Sequence, residues 1–115
     1  MNMIINSIEG MILNAKSYAK DGKTDLVEFC LKPIYEIFEK NSVENRESIE
    51  AEIRNVRIMA YSNLLKSYVS KIEKCNNAIF SKVISQTLNK IKSLDPNLGL
   101  VKEKELENYL AMTGQ

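Results

Sequence analysis

The sequence predicts an all-α protein, a helical bundle of about five helices with one long central helix. Three observations carry that prediction. Apolar residues recur at three- and four-residue steps along most of the chain, the spacing that lines one side of an α-helix. Turn-forming residues gather at Asp21-Gly22-Lys23 and at Asp95-Pro96-Asn97. Between these turns, the 52 residues from Val43 to Leu94 contain neither glycine nor proline.

The first helix is expected over Met3 to Ala19, with Ile4, Ile8, Met11, Ile12, Ala15, Tyr18 and Ala19 on one stripe. Gly10 inside it costs about 1 kcal/mol relative to alanine, which implies either close backbone packing or a frayed first turn. The second helix is expected to start at Asp25. Its carboxylate can accept the amide proton of Glu28 while Glu28 reaches back, a reciprocal cap. Leu26, Val27, Cys30, Leu31, Ile34, Ile37 and Phe38 form its apolar side, and that spacing stays in phase across Pro33, so a kink is expected there rather than an end. Asn41 and Glu44 offer the next capping pair.

The long run from Val43 needs dividing, and Cys75-Asn76-Asn77 is the expected break. Before it, one apolar stripe follows Ile49, Ile53, Val56, Ala60 and Leu64. A second follows Ile58, Tyr61, Leu65, Tyr68, Ile72 and Cys75, offset by roughly 100°. A helix from Ile49 to Cys75 spans about 40 Å, more than the first two helices can cover. One side is therefore expected to pack within the domain and the remainder to seek another chain. A fourth helix is expected from about Asn77 to Leu94, carrying Phe80, Val83, Ile84, Leu88, Ile91 and Leu94. After a short loop with Gly99, Val101 to Met112 reads as a small charged helix with Leu106, Tyr109 and Leu110 on one side. Nothing repeats internally, so residues 1–115 read as a single helical domain.

Composition narrows the chemistry. The chain contains no histidine, which removes Ser-His and Cys-His catalytic pairs and every metal site that needs imidazole. The four glycines, Gly10, Gly22, Gly99 and Gly114, are not spaced as a phosphate-binding loop. The carboxylate groups at Glu47/Glu50/Glu52 and Glu103/Glu105/Glu107 read as surface charges, with Glu50 placed to pair with Arg54 one turn on. The sequence thus predicts no enzyme, no cofactor and no metal. Cys30 and Cys75 stand among apolar neighbours and read as free thiols, suited to a reducing compartment. Residues 1–20 lack a basic start and a long apolar stretch, so neither a signal peptide nor a membrane span is expected.

Charge is balanced overall, at 16 Lys/Arg against 15 Asp/Glu, but not along the chain. Residues 1–50 hold nine acids and six bases, and residues 51–115 hold six acids and ten bases. From Lys66 to Lys92 there are six lysines and one acid, Glu73. On a helical wheel these lysines spread over about half the circumference, which favours a solvated face over a nucleic-acid groove.

One polar cluster stands out: Arg54-Asn55-Val56-Arg57 directly before Ile58-Met59-Ala60-Tyr61. Arg54 and Tyr61 are seven residues apart and about 20° from eclipsed, so Arg54 and Arg57 line up with the second apolar stripe and read as half-buried. A guanidinium held there needs carboxylates or helix-end carbonyls, because an isolated buried charge costs several kcal/mol. The same spacing also allows two exposed arginines with Glu50 nearby.

The run Arg54 to Tyr61 resembles the signature Arg-Asn-x-Arg-x-x-x-Ala-Tyr on the long helix of Psf-one-like subunits of GINS, a replication complex. Met11-Ile12-Leu13-Asn14-Ala15-Lys16 is similar to the start of that subunit, Phe38-Glu39-Lys40-Asn41 to the end of its second helix, and Leu100 to Tyr109 to its final helix. Val101 departs from the pattern where the family often has a capping Ser, and a second, β-rich domain is not among these residues. The resemblance implies a GINS helical domain acting as a non-catalytic scaffold. It would pack helix to helix against sister GINS subunits in a hetero-oligomer, reach the replicative helicase indirectly, and act in the nucleus or, in an archaeon, the cytoplasm. Carried onto this chain, Arg54, Asn55 and Arg57 would organise a buried polar network, with Tyr61, Leu65, Tyr68 and Ile72 as the interface stripe. The alternative is an unrelated helical bundle that self-associates as a homodimer, of viral or mobile-element kind. Direct nucleic-acid binding through Lys66 to Lys92 ranks below both.

Overall fold

The computed structural model describes residues 2–75 and 78–112, with side chains described for 3–71 and 81–112. The described residues form five helices in chain order: α1 (Asn2–Ala19), α2 (Thr24–Lys40), α3 (Arg46–Cys75), α4 (Ala78–Leu94) and α5 (Pro96–Met112). No strand occurs among them. The molecule is a rod of 56 × 24 × 17 Å with a radius of gyration of 16.6 Å, where a compact chain of this length would give about 13 Å. The elongation follows from α3. Its 30 residues make a spine of about 45 Å, with α1 and α2 packed on its first half and α4 on its second.

The two stripes of α3 build two separate cores. Ile49, Ile53, Val56 and Ala60 are buried against Ile8, Ile12 and Ala15 of α1 and Val27, Leu31, Ile34 and Phe38 of α2. Leu65, with half-buried Tyr61, Tyr68 and Val69, packs against Ile84, Leu88 and Ile91 of α4 and Leu98, Leu106 and Leu110 of α5. Each fully buried Leu or Ile contributes roughly 1.5–3 kcal/mol of transfer free energy. The expectation that the second stripe must be met by another chain is corrected here. The chain folds back after α3, and its own α4 and α5 meet that stripe from Tyr61 to Val69. The side chain of Ile72 lies outside the described residues.

The helix ends differ from expectation in instructive ways. Thr24 opens α2 one residue early, no side chain caps it, and the Asp25/Glu28 box does not form because Glu28 is engaged by α3. The helix continues through Pro33 to Lys40. Asn41 ends α2 rather than starting α3, donating both its backbone N–H and its Nδ2 to the Ile37 carbonyl at 3.0 and 3.1 Å. Helix α3 is described to Cys75 and α4 from Ala78, and Asn76-Asn77 of the expected break lie outside the described residues. No loop surrounds Gly99, since α5 starts at Pro96. Asp95 supplies the cap, its Oδ1 accepting the Leu98 N–H at 3.1 Å, and proline at the first helical position sacrifices no needed donor. Gly99 lets α5 approach α4, for a Cβ there would stand 2.8 Å from Lys92 Cα. Gly10, by contrast, is exposed, with nothing within 4 Å of where a Cβ would be, so close packing does not explain it.

The α1–α2 turn is tied to the spine. Gly22 adopts a left-handed φ of 68°, as residues that close a helix often do, and a Cβ there would lie 2.9 Å from the backbone nitrogen of Leu64. Asn63 of α3 donates Nδ2 to the carbonyls of Ala19 at 3.0 Å and Lys20 at 3.3 Å. The turn's own amides satisfy the carbonyls of Lys16, Tyr18 and Ala19, and Asn63 adds a second donor to Ala19 and one to Lys20 from the spine.

Candidate functional site

Arg57, near the middle of α3, is the centre of the cluster singled out above. Its neighbour on α2 is Glu28, whose carboxylate accepts from Arg57 Nε at 3.0 and 3.1 Å and from Nη2 at 2.9 Å. Arg57 Nη1 donates to the Tyr35 hydroxyl at 3.0 Å, and its guanidinium carbon lies 5.5 Å from the centre of the Tyr35 ring. The Tyr61 hydroxyl donates to Glu28 Oε2 at 3.3 Å. The side chains of Arg57 and Glu28 are 23% and 35% exposed, so the pair is partly dehydrated and more strongly coupled than a surface pair.

Partial burial opposes the charge on Arg57, but the hydrogen bonds and charge of Glu28, helped by Tyr35, outweigh it and hold the guanidinium's pKa above its ordinary value. Burial and the Glu28 carboxylate together push the Tyr61 phenol up from its ordinary value. Lys90 of α4 stands 5.7 Å over the Tyr61 ring, so Tyr61 joins the polar strut to the second core. Chemically the cluster is a brace between α2, α3 and α4. It brings together a permanently charged donor, its counter-charge and two phenols.

The sequence-derived residues separate into two groups. Arg57, Tyr61, Leu65 and Tyr68 face neighbouring helices, Leu65 fully and the others in part. Arg54 and Asn55 are exposed, which corrects their assignment to a buried network. On a helical wheel Asn55 lies about 160° from Arg57, and Arg54 about 60° away and one turn earlier, while Arg57 and Tyr61 reach Glu28 of α2. Glu50 pairs with Arg46 at 3.2 Å rather than with Arg54. Sequence reasoning missed Glu28 and Tyr35. They are seven residues apart on α2, about 20° from eclipsed, a signal that two polar groups share one edge of an otherwise apolar helix.

Elsewhere, Lys16 pairs with Glu52 at 3.0 Å and Lys92 with Glu103. Lys66, Lys71, Lys82 and Lys90 are exposed. Cys30 is a free, half-buried thiol. Among the described residues no group of three or more acids and cysteines could hold a metal ion, and no helix is long and apolar enough to cross a membrane. An open groove of about 420 Å³ lies between α3 and α5. Leu26 and Phe29 project from α2, Phe29 at 77% exposure.

No family model, curated protein or solved structure matches the chain. The run that carries the GINS resemblance has two residues between Arg57 and Ala60, one fewer than the signature. On a helix this turns Ala60 and Tyr61 by about 100° relative to Arg57.

Proposed function

We propose that this chain is a non-catalytic helical scaffold that works by holding other protein chains, and that it belongs to a GINS-type assembly in DNA replication. The single observation that carries the reading is Arg57. Within the run that resembles the family signature, this is the residue that engages Glu28 and Tyr35 of α2, with Tyr61 donating to the same Glu28 carboxylate. A bracing role suits a scaffold, whose work is to present rigid surfaces. Partners would be sister subunits docking on exposed helix faces, with the replicative helicase reached through them and the protein acting inside the cell.

Co-expression with GINS sister subunits, followed by affinity capture and size-exclusion chromatography, tests the proposal. A stoichiometric complex stable to 300 mM salt is expected. A chain that elutes alone, with its partners forming their complex without it, overturns it. The exposed Leu26 and Phe29 on α2 favour a second reading, self-association as a homodimer, which sedimentation of the isolated chain would reveal as a defined species of twice the mass.

A further inference from the structure

Helices α3 and α5 have apolar residues on two sides, and the fold uses them differently. One side of α3 is covered by α1 and α2, and the other by α4 with α5 beyond it, which leaves the strip from Ser62 to Val69 open toward α5. Helix α5 is covered on one side only, where Leu106 and Leu110 meet α4 and Gly99 lies against Lys92. Its other side carries Val101 at 53% and Met112 at 86% exposure. Lys102, Glu105, Leu106 and half-buried Tyr109 of α5 line the α3–α5 groove, whose apolar floor includes Leu65, Val69 and Leu106. Ser62 also lines it, and its hydroxyl is buried with no hydrogen-bond partner among the described residues.

We propose that this groove is a docking site for an acidic amphipathic helix of a partner protein. An apolar trough of this length accepts a helix laid along it with residues i, i+3, i+4 and i+7 inward. Ser62 to Val69 of α3 and Lys102 to Tyr109 of α5 each span about 10 Å, so roughly two turns of a guest helix would fill it. Charge selects the guest. Lys66 and Lys102 stand at the groove, and Glu105, 3.9 Å from Lys102, leaves the rim net positive. The surrounding half of the chain, residues 51–115, carries ten bases against six acids. A second copy of this chain fits less well. Its exposed apolar face on α2, around Leu26 and Phe29, has Asp25 and Glu36 matched by Lys32 and Lys40 and offers no charge complement. The proposal stands on the groove alone and does not depend on the GINS reading.

The test uses the full chain and two fluorescein-labelled 18-residue helical peptides, identical in their leucine stripe and flanked by glutamates in one and lysines in the other. Fluorescence anisotropy is expected to show the glutamate peptide binding at least tenfold more tightly than the lysine peptide, an advantage that shrinks with added salt. Lys66→Glu/Lys102→Glu is expected to weaken the glutamate peptide about tenfold, from two attractions at the groove's rim turned to repulsions, and to strengthen the lysine peptide. That gain also shows the variant is folded. Amide shifts in a 15N correlation spectrum should map to α3 and α5. Equal affinity of the two peptides, or shifts centred on Phe29 of α2, overturns the proposal. So does a dimer in sedimentation that Lys66→Glu/Lys102→Glu disperses, since that gives the groove to a second copy.

Discussion

The Glu28 side chain is 35% exposed beside Arg57, and replacing Arg57 with alanine strips its carboxylate of three of its hydrogen bonds and the Tyr35 hydroxyl of its donor. Breaking a fully buried pair by removing one partner costs about 3–5 kcal/mol, whereas an exposed pair contributes about 0–1 kcal/mol. Arg57 is 23% exposed, between these limits, and water can partly rehydrate Glu28, so a loss of about 2 kcal/mol is expected. At about 2.1 cal/mol/K of unfolding entropy per residue, the 115 residues convert that into a fall in Tm of about 8 °C. Thermal melts followed by circular dichroism and urea titrations at pH 7 measure it. The double-mutant cycle with Glu28→Ala should return a coupling of more than about 1 kcal/mol. Arg54→Ala, three residues away on the exposed side, serves as the control and should change stability by less than about 0.5 kcal/mol. If Arg57→Ala and Arg54→Ala melt together, within a degree of the parent, the bracing role of Arg57 is refuted.

The two glycines should respond in opposite directions. Gly22→Ala places a Cβ at a φ of 68° and against the backbone of Leu64 and is expected to destabilise by about 2 kcal/mol or more, while Gly10→Ala, on an open helix face, should stabilise by about 0.5–1 kcal/mol; urea midpoints decide both. Asn63→Ala removes the donor to the Ala19 and Lys20 carbonyls and should cost about 1 kcal/mol, with faster amide exchange confined to the α1–α2 turn. Because the Tyr61 phenol holds its proton more tightly when folded, its contribution is fully present below the ordinary tyrosine value of about 10 and is lost as pH climbs through 10 toward the raised folded value. Tyr61→Phe should therefore lose less stability than the parent between pH 9 and 11, and an equal loss in both proteins would count against the Glu28–Tyr61 contact.

The helical architecture was legible in the sequence: five helices and the apolar stripes along which they meet. Periodicity is a local property, and at α3 it even separated Ile49-Ile53-Val56-Ala60 from Tyr61-Leu65-Tyr68. Only the tertiary structure decided what meets each stripe. The path of the chain after Cys75 returns α4 and α5 to the second one, and a helical wheel carries no information about that return. Capping was misread at Glu28 and Asn41 for a related reason. Each side chain had two partners within reach: Glu28 takes Arg57 of α3 in place of a local amide, and Asn41 takes the Ile37 carbonyl behind it in place of the helix ahead. For Arg57 the wheel revealed a charge on an apolar side, but its counter-charge lies 29 positions earlier in the chain, and only the packing of α2 on α3 could bring it there.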